Sequence, residues 1–350
     1  MGTWPRAGAA AALAMGALAA GTVARACAIA RPVADDYQWH LPRGFPTPAV
    51  PADNPMSVAK VELGRRLFFE TRLSVTGSYS CASCHDPARA YSDGRARAVG
   101  STGELLTHGA MSLANVAYNI SYGWTKPNLS SLEAQMLEPL LNQHPVEIGI
   151  AGRQTAVVDL LAADASYATA FRASFPDDPQ PMTFDHMVKA IAAFERTLIF
   201  GHSPFDRYVF NAEHEAITAP AKRGMRLFYS ARAGCSSCHS GFNFDGNWRD
   251  ASGESGKPSF ADNGLGEGRF RVPTLRNIAL TAPYMHDGRY ATLAAVIEHY
   301  SRVARQPDVD RRLRKFDLSS AERQDLIAFL EALSDSELLA SSGAQAAAGR

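Results

Sequence analysis

A pentapeptide of the form Cys-x-x-Cys-His occurs twice in this 350-residue chain, as Cys81-Ala-Ser-Cys84-His85 and as Cys235-Ser-Ser-Cys238-His239. Two thiols at this spacing can add across the two vinyl groups of a haem, and the histidine that follows then falls beneath the iron as its proximal ligand. One such match would also suit a zinc knuckle or a redox dithiol. Two matches use four of the five cysteines, downstream of an N-terminus of secretory type. The chain is therefore expected to carry two covalently bound c-type haems.

The N-terminal segment fits that expectation, because bacterial attachment of haem c takes place outside the cytoplasm. Residues 1–30 read as an export signal. Arg6 supplies a short basic start, Ala9 to Val23 are rich in Ala and Leu, and Ala24-Arg25-Ala26 and Ala28-Ile29-Ala30 offer cleavage sites. The stretch is short and alanine-rich for a permanent span, so the periplasm is the expected location. Cys27 is the odd cysteine. Cleavage just before it would give a lipoprotein, the one route to a membrane, although Arg25 fits a lipobox poorly. With 35 basic and 35 acidic residues, the chain has neither the footprint of a nucleic-acid binder nor that of a protein drawn to anionic membranes.

Length suggests about two domains, and the sequence shows where they start. Residues 31–55 are rich in proline with scattered aromatics and read as an irregular arm. A helix is expected over 58–70, carrying Gly64-Arg65-Arg66-Leu67-Phe68-Phe69 ahead of the first pentapeptide. Gly224-Met225-Arg226-Leu227-Phe228-Tyr229 stands ahead of the second, an internal repeat. Each copy resembles the opening of a small cytochrome c. A helix from Phe184 to Leu198 is broken by Gly201-His202-Ser203-Pro204, and a last helix opens with a capping box from Ser319 to Glu322. The expected architecture is mainly α: two tandem cytochrome c-like domains over 31–203 and 204–335, each with one haem, and a flexible tail over 336–350.

The two pentapeptides, the run Val272-Pro273-Thr274-Leu275-Arg276-Asn277 and the run Ala282-Pro283-Tyr284-Met285-His286-Asp287-Gly288 resemble the bacterial di-haem cytochrome c peroxidase/MauG superfamily over 56–333. Within it, Leu41-Pro42-Arg43-Gly44-Phe45-Pro46, Asp53-Asn54-Pro55-Met56 and Met111–Ala117 look like the MbnH-like enzymes associated with methanobactin operons. In the peroxidases an axial methionine lies fourteen residues after the histidine of the second run. Here that position is Tyr300, as in MauG and its relatives. The residues themselves agree on direction. Thr292 can cap a helix whose apolar positions are Leu293, Val296, Ile297 and Tyr300, while His299 is turned about 100° away. A core tyrosine bonded to a carbonyl remains the alternative, and Met285, His286 and His299 are rival ligands. Thioether sulfur favours ferrous iron, whereas phenolate favours ferric and higher states.

For the first haem the resemblance implies an open sixth position. The place of the family's blocking histidine is Ser101, and His108 is the nearest substitute. It also implies Glu147 as the acid–base group for peroxide, Gln135 as its hydrogen-bonding companion and Pro139 in the pocket wall. The stretch from Gln135 to Glu147 is two residues longer than in the family, which leaves Glu138 as a competitor. Trp124 stands near the position of the family's inter-haem tryptophan, a carrier of oxidising equivalents or simply a packing residue. Trp39 and Trp248 read as core or surface aromatics. The family's calcium between the haems would use Thr281 and Pro283, but its asparagine is replaced by Gly109, which leaves carbonyls and waters.

Together these features imply a periplasmic enzyme that uses hydrogen peroxide to reach a high-valent, bis-ferryl-like state. That state would oxidise an aromatic residue, tryptophan, on a partner protein linked to copper (MbnP-like). The alternative enzyme is a peroxide-reducing cytochrome c peroxidase fed by a small cytochrome or cupredoxin. A plain electron-transfer cytochrome would need both sixth positions filled, and only one good distal ligand is visible.

Overall fold

The structure is a computed structural model that describes residues 37–126, 129–246, 270–303, 312–313 and 315–339. The export signal with Cys27, Trp248 and residues 340–350 of the expected tail lie outside the described residues, whereas its start at 336–339 is described and packs Leu338, fully buried, against Ala90 and Ala114. Nine helices are described: α1 (Val58–Phe68), α2 (Leu132–Leu141), α3 (Gln154–Ala162), α4 (Ala165–Ser174), α5 (Phe184–Glu195), α6 (Pro204–Phe210), α7 (Ala219–Phe228), α8 (Leu293–Val303) and α9 (Ser320–Glu331). Short 3-10 turns join them, and the only extended pairing among the described residues is in isolated bridges. The mainly α expectation holds.

The glycine of the repeated Gly-x-Arg-Leu-Phe run has a packing reason. α1 starts where Ser57 Oγ accepts from the Lys60 amide, and it buries Leu63, Gly64, Leu67 and Phe68 against α5. A Cβ on Gly64 would overlap the carbonyl oxygen of Ala190 and press on Phe194. In the second half α7 crosses α9 in the same way: a Cβ on Gly224 would overlap the carbonyl oxygen of Asp325 and press on Phe329. Two helices approach backbone to backbone only where one of them carries no side chain.

The repeat runs much further than the sequence reveals. Asn115 and Asn277 both adopt left-handed backbone, φ 60° and 62°. Their amides donate to Leu198 and Leu333, 2.7 and 3.0 Å away, and their side-chain oxygens accept from the amides of Phe200 and Asp335. A 3-10 turn follows each, at Val116–Tyr118 and Ile278–Leu280. Then come α2, capped by Ser131 on the Ala134 amide, and α8, capped by Thr292 on the Ala295 amide.

Buried apolar side chains form two main clusters, one from Leu63 to Leu198 and one from Phe205 to Leu333. Phe45 of the N-terminal arm is 7% exposed and touches both halves: its ring meets Tyr118, Phe210 and Phe242 edge-on, and the Arg276 guanidinium lies 4.8 Å from its centre. Arg276 in turn pairs with Asp206 at 2.8 Å, each side chain 2% exposed. No helix among the described residues is long and apolar enough to cross a membrane.

Candidate haem sites

Each pentapeptide folds as a 3-10 turn, Cys81–Ser83 and Cys235–Ser237, that carries its histidine inward. The amides of His85 and His239 donate to the carbonyls of Cys81 and Cys235. Their Nδ1–H groups donate to Tyr91 and Phe244, at 3.1 and 3.0 Å, and both acceptors have left-handed backbone. Burial lowers both histidine pKa values, against the opposing pull of those carbonyls. The imidazoles are thus held neutral with Nδ1 engaged, which leaves Nε2 as the nitrogen for iron. All four cysteines are free of disulfides, and burial pushes Cys84 up to about 12 and Cys235 up to about 11.

Above the second motif lies a cavity of about 310 Å³, lined by Cys235, Cys238, His239, Tyr300, Leu326 and Leu330 among others. α8 turns Leu293, Val296, Ile297 and Tyr300 into it, as the helical spacing requires. His299 points elsewhere, with Nδ1 2.9 Å from the Tyr290 hydroxyl. Burial, and then the two nearby cysteines, push the Tyr300 phenol up to about 12. Without a cation beside it this phenol stays protonated; a ferric ion would reverse that balance. Met285 and His286 line the same cavity, but the His286 ring stacks on Phe270 at 3.6 Å. Arg271 also lines the cavity. Among the described residues its nearest carboxylate oxygen, on Asp245, is 3.7 Å from Nη2, and its buried Nε and Nη2 lack a hydrogen-bond partner there. A guanidinium in that condition wants an anionic group. An apolar chamber with two thiols, a neutral imidazole and an unmatched guanidinium fits a haem with its carboxylates.

At the first motif, loop 98–106 closes on the segment after α2. The Ser101 amide donates to the Glu147 carbonyl at 2.7 Å, and its hydroxyl donates to the Ile148 carbonyl at 3.1 Å. The position of the family's blocking histidine is thus occupied in holding Glu147 in place. The Glu147 carboxyl stands close enough to Cys84 to raise that thiol. Its own pKa is raised, by burial first and then by Glu138, against the Asn142 hydrogen bond and Lys126. Glu138, the competitor, is ion-paired with Lys126. Gln135 and Pro139 share a face of α2 one turn apart, and the Ile148 amide donates to the Pro139 carbonyl at 2.9 Å.

The extended repeat adds something that sequence reasoning missed. Pro139 stands eight residues after its helix cap Ser131, and Tyr300 stands eight after Thr292. The two are equivalent positions. Where the second half presents a phenol, the first presents a ring with no ligating atom. The signal was in the chain, as Ser112-Leu113-Ala114-Asn115-Val116-Ala117 beside Thr274-Leu275-Arg276-Asn277-Ile278-Ala279.

Trp124 lines the cavity together with Asp93 and Arg95 from the loop after the first motif. Its indole N–H donates to the Gly109 carbonyl at 2.9 Å, and its ring centre lies 6.5 Å from that of His286. Tyr122-Gly123-Trp124 and Tyr284-Met285-His286 each begin seven residues after the repeated asparagine, with left-handed backbone at Gly123 and Met285. Trp124 and His286 are therefore counterparts that face each other. His108 lies against His286 and Phe270. Thr281, Pro283 and Gly109 line the same cavity, with the Gly109 carbonyl taken by Trp124. Among the described residues no group of three or more His, Cys, Asp or Glu side chains could hold a metal ion.

The family model for di-haem cytochrome c peroxidases matches residues 58–214. The chain is 37% identical over 304 residues to the methylamine utilization protein MauG of Methylorubrum extorquens, covering 85% of this chain and 83% of that one. It is 30% identical to the cytochrome c551 peroxidase of Pseudomonas aeruginosa, covering 80% of each. Among solved structures, a MauG-like protein associated with microbial copper homeostasis superposes with a TM-score of 0.79 at 37% identity, covering 87% of this chain and 97% of that one. The chain belongs to the di-haem cytochrome c peroxidase/MauG family of oxidoreductases, and the family implies two haem cofactors.

Proposed function

We propose that this protein is an exported, periplasmic oxidase that uses hydrogen peroxide to oxidise an aromatic residue, tryptophan, on a partner protein of the copper-linked, MbnP-like kind. The observation that carries the reading is Tyr300, a phenol turned into the second cavity at the position where a peroxidase would present a thioether. Similarity to the copper-associated MauG-like structure supports the partner class.

When bound, the two haems supply peroxide reduction at the first site and retention of oxidising equivalents across both. The chain's own residues do the rest. Cys81, Cys84, Cys235 and Cys238 attach the groups covalently, and His85 and His239 present Nε2. Pro139 leaves the far side of the first site open. A Glu147 carboxylate oxygen takes the proton from the inner peroxide oxygen and returns it to the outer one, while Gln135 holds the peroxide. Trp124 links the two sites. Thr281 and Pro283 carbonyls, with water, would hold a calcium ion, which metal analysis of the purified protein would detect.

A second reading is a peroxide-detoxifying enzyme fed by a small cytochrome or cupredoxin, favoured by the likeness to the cytochrome c551 peroxidase. One stoichiometric addition of peroxide without reductant separates them. The first reading requires a long-lived near-infrared charge-resonance band, followed by a mass change in the partner. Rapid oxidation of added reduced cytochrome c, with no such band, would support the second reading instead.

A further inference from the structure

The matched crossings of α1 with α5 and of α7 with α9 make Phe194 the counterpart of Phe329. The next residue is Glu195 in the first half and Leu330 in the second. Leu330 lines the cavity of the second haem site. Glu195 is 5% exposed, its Oε2 is buried without a hydrogen-bond partner, and its charge acts on Cys81. A carboxyl group thus stands at the edge of the first haem site where the second has only hydrocarbon.

We propose that Glu195 sets the charge beside the first haem: the protonation state of its carboxyl group adjusts the reduction potential of that haem and leaves the second unaffected. The inference rests on haem binding at the first motif and is independent of the partner protein.

The charged and titratable neighbours come from several elements. Arg196, the residue after α5, favours ionisation, but its Nη2 is already taken by Glu133 Oε2 at 2.8 Å. Glu133, from α2, adds negative charge and is itself held by Asn54 Nδ2 at 2.6 Å. Lys60, from α1, completes this buried polar group through Asn54 Oδ1 at 3.1 Å. Cys81, from the attachment turn, and Tyr122, from the loop before α2, also feel the Glu195 charge. Burial outweighs Arg196 and pushes Glu195 up to about 8. Near neutrality the group is therefore a neutral acid, and above that it is a carboxylate. A negative charge beside a haem favours its more oxidised, more positive form.

The test is a spectroelectrochemical titration of the holoprotein between about pH 6 and pH 9, with the two haems resolved by their spectra and haem content checked first. The first haem's midpoint potential should fall as pH rises through about 8. Glu195→Gln, which has no proton to lose, should flatten that dependence. An infrared band of a protonated carboxylic acid should be present in the wild type at the acid end, lost at the alkaline end and missing from the variant. If Glu195→Gln keeps the wild-type slope, or if the second haem's potential shifts as much as the first, the proposal is overturned. Should Glu195→Gln fail to take up the first haem, Glu195→Leu, the residue of the other half, serves with the same outcomes. Loss of the first haem from both variants also overturns the proposal, since the residue is then structural. Partner oxidation is not measured, so a wrong partner leaves these outcomes unchanged.

Discussion

At the scale of single residues, the two halves differ in what α2 and α8 carry at matched positions. Tyr300 and Pro139 occupy equivalent positions, so on the proposed reading one helix register would produce a closed site and an open one. On the proposed reading, Tyr300→Met would replace a hard anionic donor with a soft neutral one. It should retain both haems but abolish the long-lived near-infrared state after peroxide; an unchanged band in that variant would remove Tyr300 from the proposed role. Glu147→Gln keeps the size of the side chain and removes its proton chemistry. It should slow the reaction with peroxide by about 10²–10⁴-fold in stopped flow, and a wild-type rate would point to Glu138 or another group. The inward direction of Tyr300 was legible from the sequence because an apolar stripe and a family offset agreed on one residue. Glu195 was not legible. A glutamate within an apolar helix gives no sign of what it faces until α5 is seen to occupy the place of α9.

At the scale of elements, the strongest device is the glycine crossing. Gly64 and Gly224 each sit beneath a carbonyl of the crossing helix, with no room for a methyl group. Gly224→Ala should cost about 1–3 kcal/mol as overpacking, seen as a lower urea midpoint with unchanged slope. An unchanged midpoint would mean that α7 and α9 can part without loss. The sequence showed the glycine, arginine, leucine and phenylalanine of this run but not their purpose, since the residues they meet lie about a hundred positions away. The repeated asparagines escaped notice for a related reason. Asn115 and Asn277 anchor their loops to Leu198 and Leu333 through the backbone, and the alike runs around them do not name backbone partners so far along the chain. What the sequence did carry was the local pattern: the repeated pentapeptides, the Ser319 capping box and the inward face of α8.

At the scale of the whole molecule, two features have measurable consequences. Asp206 and Arg276 form a buried pair, and deleting one partner strands the other charge. Asp206→Ala should therefore cost about 3–5 kcal/mol in equilibrium unfolding. Glu195 makes stability depend on pH. Its folded pKa lies above the unfolded value, so the folded chain binds the proton more tightly. The resulting stabilisation is full below the usual carboxylate range and declines as pH rises toward about 8. Denaturation midpoints should fall across that window, and the fall should be shallower in Glu195→Gln.

The clasp made by Phe45 bears on timing. Its ring is wedged among Tyr118, Phe210 and Phe242 with Arg276 across it, so that a single arm residue grips both halves. The probability that an electron tunnels falls steeply with the gap it must cross, and a gap that fluctuates gives a rate that fluctuates with it. If the two sites exchange charge as proposed, a molecule pinned in this way would act as a clock with a fixed escapement, each turnover inheriting the spacing set at folding.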